Sequence, residues 1–120
     1  MQTIKVLLAS RPKMLSEVIR SILEHQPDME VVGEVLDPIE LLIATQVVPV
    51  DVVIITPLKS NGEPRICGQL FEAHPLLKII ILSSEGEAAY LYQSGLPRLR
   101  IDEPSEEAII GIIRKAILEI

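Results

Sequence analysis

The hydrophobic residues of this chain fall into two alternating patterns. One is the short dense run: residues 4–9 (IKVLLA), 52–55 (VVII) and 78–83 (KIIILS). The other is the three- and four-residue spacing of an amphipathic helix, as in Met14, Leu15, Val18, Ile19, Ile22 and Leu23. The run at 52–55 has no polar alternation, so both faces of its strand should be buried, as in a parallel sheet covered by helices on both sides. Pro27-Asp28 stops a helix over residues 13–26. A strand over 29–36 contains Gly33, and Asp37-Pro38 turns the chain into a short helix over 39–47. Pro49 leads into the third strand, and a polar loop follows to Pro64. A helix over 65–74 ends at Pro75 ahead of the strand at 78–83. Residues 85–94 are expected to be a fourth helix with Gly95 as its C-cap. A weak edge strand is expected at 98–101. Ser105 then caps a last helix whose first turn holds Glu106 and Glu107.

Strand and helix thus alternate five times. That alternation predicts an α/β fold with right-handed crossovers. The expected architecture is one flavodoxin-like, doubly wound domain over residues 1–120, with a five-stranded parallel sheet in the order 2-1-3-4-5. Sheets of this kind bind ligands beyond the carboxyl ends of their strands, so Thr56 should floor any functional crevice.

Composition narrows the classes. Hydrophobic residues make up 48% of the chain and aromatics 2%, so the core must be aliphatic. A net charge of -6 argues against direct nucleic-acid binding and against an anionic membrane surface. One cysteine, Cys67, fits a reducing cytoplasm, and no apolar run approaches the ~20 residues of a membrane span.

Several stretches carry a family resemblance: Ile4-Lys5-Val6-Leu7-Leu8-Ala9, residues 27–34 (PDMEVVGE), Asp51-Val52-Val53-Ile54-Ile55, Glu72-Ala73-His74-Pro75, residues 78–83, and residues 103–107 (EPSEE). In this order and spacing the chain resembles the CheY-like receiver domains of bacterial response regulators, above all the NarL/LuxR class. The resemblance implies a two-component, phosphorelay type of module. It also implies an acidic pair after the first strand, a phospho-accepting Asp ending the third, a Ser or Thr after the fourth and a Lys after the fifth. This chain places Ser10 and Arg11, Thr56, Ser83 and Glu103 at those positions. The aromatic switch position falls at Leu99 or Arg100, neither of them aromatic. Only Ser83 matches.

Mg²⁺ needs hard oxygen ligands, commonly one or two carboxylates plus water. Ser10 and Thr56 are neutral and Arg11 would repel the ion. A threonine hydroxyl cannot form an acyl phosphate. The resemblance, with these departures, implies a degenerate pseudo-receiver that binds no Mg²⁺ and needs no cofactor. It would act through protein docking or as a homodimer, and could form the regulatory half of a transcription factor. Two alternatives stand beside it: a receiver switched by a non-standard modification, and a flavodoxin-like binder of flavin or nucleotide. The lack of stacking aromatics and of a Gly-rich phosphate loop weighs against the latter. No enzyme constellation is visible.

The remaining reactive residues have plain readings. Thr56 and Ser83 read as strand-end hydroxyls, Asp102 and Glu103 as solvated acids, and Cys67 as a small buried hydrophobe. His25 and His74 each end a helix beside a proline and complement its dipole. In receivers the fourth helix, fifth strand and fifth helix form a docking face. Tyr90 and Tyr92 fall on the expected fourth helix, where one should be exposed. Ile109, Ile110, Ile112 and Ile113 span more than half a helix circumference, so Ile110 should be exposed. With Leu99 and Arg100 these are the interface candidates. Arg11 and Glu103, whose signs reverse the family pattern, are expected to approach each other across the crevice.

Overall fold

The structure is a computed structural model and describes residues 3–10, 13–35, 38–56, 65–82, 88–102 and 105–118. Strands β1 (Ile4–Ser10), β2 (Met29–Val35), β3 (Val52–Thr56), β4 (Lys78–Leu82), β5 (Ala88–Gln93) and β6 (Leu99–Asp102) form one sheet in the order β2-β1-β3-β4-β5-β6. Helices α1 (Lys13–Glu24) and α4 (Glu106–Leu118) cover one face. Helices α2 (Pro38–Val47) and α3 (Arg65–Ala73) cover the other. The fold is therefore mixed α/β and flavodoxin-like, as the alternation predicts.

Strands β1 to β5 feed both layers. Val6, Leu8, Val52, Ile54, Ile80 and Leu82 point to α1 and α4, where they meet Ile19, Leu23 and Ile113. Leu7, Val53, Ile55, Ile79 and Ile81 point the other way, to Leu41, Ile66, Cys67 and Leu70. Period-two alternation within unbroken apolar runs is what a doubly covered sheet requires. Gly33 answers a close approach: β1 and β2 slip register between Val6 and Leu7, and a Cβ on Gly33 would lie 3.1 Å from Leu7 Cδ1. Asp51 ties the amino ends of three strands together, its Oδ2 accepting from Lys5 N at 2.9 Å and its carbonyl from Lys78 N at 3.2 Å. Ser105 caps α4, its Oγ accepting from Ala108 N at 3.1 Å.

Two expectations are corrected. Among the described residues the sheet has six strands, not five, and its last two pairings are antiparallel. Residues 88–93 form β5, not part of a helix over 85–94; residues 83–87 lie outside the described residues. The segment AAYLYQ has no charged residue to form a helix's solvent face. Ala89 and Leu91 pack under α4 while Tyr92 packs toward α3, the alternation of a strand. Gly95 adopts φ 79°, the left-handed conformation shared by helix C-caps and hairpin turns. Here it turns β5 into β6, with Leu96 N donating to Gln93 O at 3.2 Å.

Candidate functional site at the carboxyl edge of the sheet

Strands β1, β3 and β4 run parallel and end at one edge of the sheet. Ser10 and Thr56 are register partners there, so β1 and β3 finish on adjacent hydroxyl residues, about 5 Å apart along the ladder. β4 ends beside them at Leu82. Arg11, Ser83 and Glu103 lie outside the described residues. The strand leading to Glu103 is nevertheless displaced: β5 stands between β4 and β6. The carboxyl ends of β1 and β6 are thus four strand spacings apart, about 19 Å, where the expected order needs three. The approach of Arg11 to Glu103 would have to cross that added spacing. At the end of β6, Asp102 Oδ1 accepts from Arg100 Nε at 2.8 Å, with both side chains exposed. Among the described residues, no group of three or more His, Cys, Asp or Glu side chains could hold a metal ion.

The interface candidates separate. Tyr90 and Tyr92 are two apart on a strand and share a face, their ring centroids 6.4 Å apart. Tyr92 is buried, so the expected exposed tyrosine is not there; Tyr90 is half-buried, with Arg98 and Arg100 guanidinium carbons 5.1 and 5.6 Å from its ring centroid. Leu99 and Arg100 are exposed on the edge strand. Ile110 is only 9% exposed, against expectation. Ile109, Ile110, Ile112 and Ile113 of α4 all share one cluster with Ile19 and Leu23 of α1 and Leu91 of β5, so the helix has two walls. The expected docking face of fourth helix, fifth strand and fifth helix therefore loses its fourth helix and two of its five candidate residues.

Sequence reasoning missed a different surface. Ile39, Ile43 and Val47 of α2 are 70%, 56% and 75% exposed, and Leu76 is 85% exposed. The signal was present: residues 38–47 lack the polar face that marks a helix covered on one side only. The histidines fall as read, at helix ends. His25 Nδ1 lies 2.6 Å from Ser21 O, and the His74 amide donates to Leu70 O at 2.7 Å. His74 Nε2 is buried and has no hydrogen-bond partner among the described residues. Cys67 is fully buried.

One ion pair ties α4 to the loop before β2. Arg114 Nε donates to Asp28 Oδ2, and an Arg114 terminal nitrogen donates to Asp28 Oδ1, both at 2.9 Å. The same nitrogen reaches Gln26 Oε1 at 2.7 Å. The hydrogen bonds from Arg114 hold the Asp28 carboxyl below the usual aspartate range, against the smaller opposing effect of desolvation. A lowered carboxyl pKa stabilises the fold above about pH 4 and loses that contribution as the pH falls through the lowered value. Asp28→Asn is therefore expected to be less stable than the parent at pH 7 and to converge with it toward pH 2. Urea midpoints measured across that range check this; a gap that stays constant contradicts it.

No protein-family model and no curated protein sequence matches the chain. Solved structures do. Two structures of the RcsB response regulator from Salmonella typhimurium, described in terms of conformational dynamism for DNA interaction, align with TM-scores of 0.59 and 0.61 at 25% and 24% identity. They cover 69% and 72% of this chain, which spans 44% and 45% of theirs. The response regulator domain of Thermotoga maritima CheB aligns with a TM-score of 0.58 at 25% identity, over 69% of this chain and 62% of its own. The fold is receiver-like. The chain spans less than half the length of the RcsB chains it resembles. No helix of the described residues is long and apolar enough to cross a membrane.

Proposed function

We propose that this chain is a two-component receiver-like module that has lost phosphotransfer and signals by docking to protein, without an enzymatic step of its own. The observation that carries the reading is the pairing of Ser10 with Thr56 at the carboxyl ends of β1 and β3. A working receiver needs carboxylates at that edge to hold Mg²⁺ and to accept phosphate; two hydroxyl residues provide neither the negative charge nor the acyl acceptor. The likeness to RcsB supports placing the module in the regulatory part of a transcription factor. With a net charge of -6 here, contact with DNA would belong to another domain.

The test is an NMR titration with Mg²⁺ and beryllofluoride, repeated with acetyl phosphate. Amide signals are expected to stay in place throughout. Shifts clustered around Thr56 and Ser83 at millimolar Mg²⁺ would overturn the reading.

A further inference from the structure

The amino edge of the sheet, opposite the edge of Ser10 and Thr56, holds a groove of about 370 Å³. It lies between the segment joining α2 to β3 and the segment joining α3 to β4. Small-molecule sites have about this size, with mostly apolar walls and a few convergent polar groups. Here Val47, Val48, Pro49 and Leu77 supply apolar wall, and Asp51 and His74 supply polar groups. Both polar groups keep bonding capacity. Asp51 Oδ2 accepts from Lys5 N at 2.9 Å, and among the described residues no lysine or arginine side chain pairs with this carboxylate. His74 Nε2 is enclosed without a partner among the described residues, a condition rare enough in folded proteins to need a reason.

We propose that this groove binds a small primary ammonium with an aliphatic body. The site lies beyond the docking reading above and does not depend on it. Other ligand chemistries fit the groove poorly. A metal ion needs more ligands than Asp51 and His74, and among the described residues no third His, Cys, Asp or Glu side chain joins them. An anion would meet the Asp51 carboxylate in a chain of net charge -6. A wholly apolar ligand would desolvate both polar groups and pair with neither. An ammonium carries three donors on one compact centre. One goes to the Asp51 carboxylate, which the Lys5 amide already holds in place. Another goes to His74 Nε2, which presents a lone pair when the ring proton sits on Nδ1. A turn of the ring about Cβ–Cγ, a broad and soft torsion, brings that lone pair to the groove. The alkyl body then lies along Val48, Pro49 and Leu77 and covers the exposed Val47.

An NMR titration of the full chain at neutral pH with n-hexylammonium chloride tests this, with sodium hexanoate and hexanol as probes of matched length. Hexylammonium is expected to give saturating shifts at the amides of Val48, Asp51, His74 and Leu77, with a millimolar Kd as suits so small a ligand. Hexanoate and hexanol are expected to bind far more weakly. Asp51→Asn keeps an acceptor for the Lys5 amide and removes the charge; it is expected to weaken hexylammonium about tenfold. His74→Phe keeps a ring and removes the nitrogens; it is expected to weaken binding about threefold. Circular dichroism checks that each variant folds, and His74→Phe reads the site even where Asp51→Asn disturbs the strand ends. The absence of saturable shifts overturns the proposal, as does equal binding of hexanoate or hexanol. Shifts centred instead on Glu17, Ser21 and Glu106, which line a second groove between α1 and α4, mean general attraction to acidic surface and overturn it too. So does binding unchanged in either folded variant.

Discussion

Ile80→Ala is expected to destabilise the chain by about 3–4 kcal/mol, near the middle of the range for large aliphatic truncations in a closed core. Ile80 has no exposed surface. It pairs with Ile54 on one side and Leu91 on the other, at the centre of the face covered by α1 and α4. Backbone ladders on both flanks limit how far the site can collapse around the lost atoms. A small domain holds roughly 5–15 kcal/mol in all, so this one change removes a quarter to most of it. Urea unfolding gives the measurement; a loss below about 1 kcal/mol would mean that the core rearranges freely, contrary to the close packing of protein interiors.

Ala89→Asp is expected to have a still larger effect and to abolish cooperative folding at neutral pH. Ala89 is fully buried between Leu82 of β4 and Ile101 of β6 and lies in the cluster under α4. A carboxylate there meets aliphatic side chains, and an unpaired buried charge costs several kcal/mol at the least. Ser94→Asp, five residues on in the exposed turn, is expected to fold as the parent does. The pair of variants tests the hairpin as well as the core. If both fold alike by circular dichroism and thermal melting, Ala89 does not sit inside the sheet.

The helices end where local chemistry says they should. Pro27 follows α1, Pro38 begins α2, Pro75 follows α3 and Ser105 caps α4. These stops act within a few residues, so they can be read from the chain alone. The same holds for β1, β3 and β4, whose dense apolar runs fit only a doubly covered strand. Of the positions expected at the carboxyl edge, Ser10 and Thr56 were legible for a related reason: each follows directly from where a strand ends. Ser10 and Thr56 are register partners because both strands stop there.

What the sequence could not decide was the destination of residues 88–93. Six residues with two tyrosines, a leucine and two alanines fit a short helix or a strand almost equally, and a left-handed glycine ends either one. Tertiary pairing broke the tie: the open edge of β4 accepts a strand on its unpaired backbone groups. That choice moved β6 one spacing further from the candidate site, buried Tyr92 and placed Leu91 over α4's isoleucines. Ile110 is covered for the same reason, since a helix pattern counts apolar positions but not the walls around them. The exposure of Ile39, Ile43 and Val47 is likewise tertiary. By itself the chain determined a layered α/β domain whose first and third strands end on hydroxyl residues; the packing decided which apolar faces were closed and which were left open.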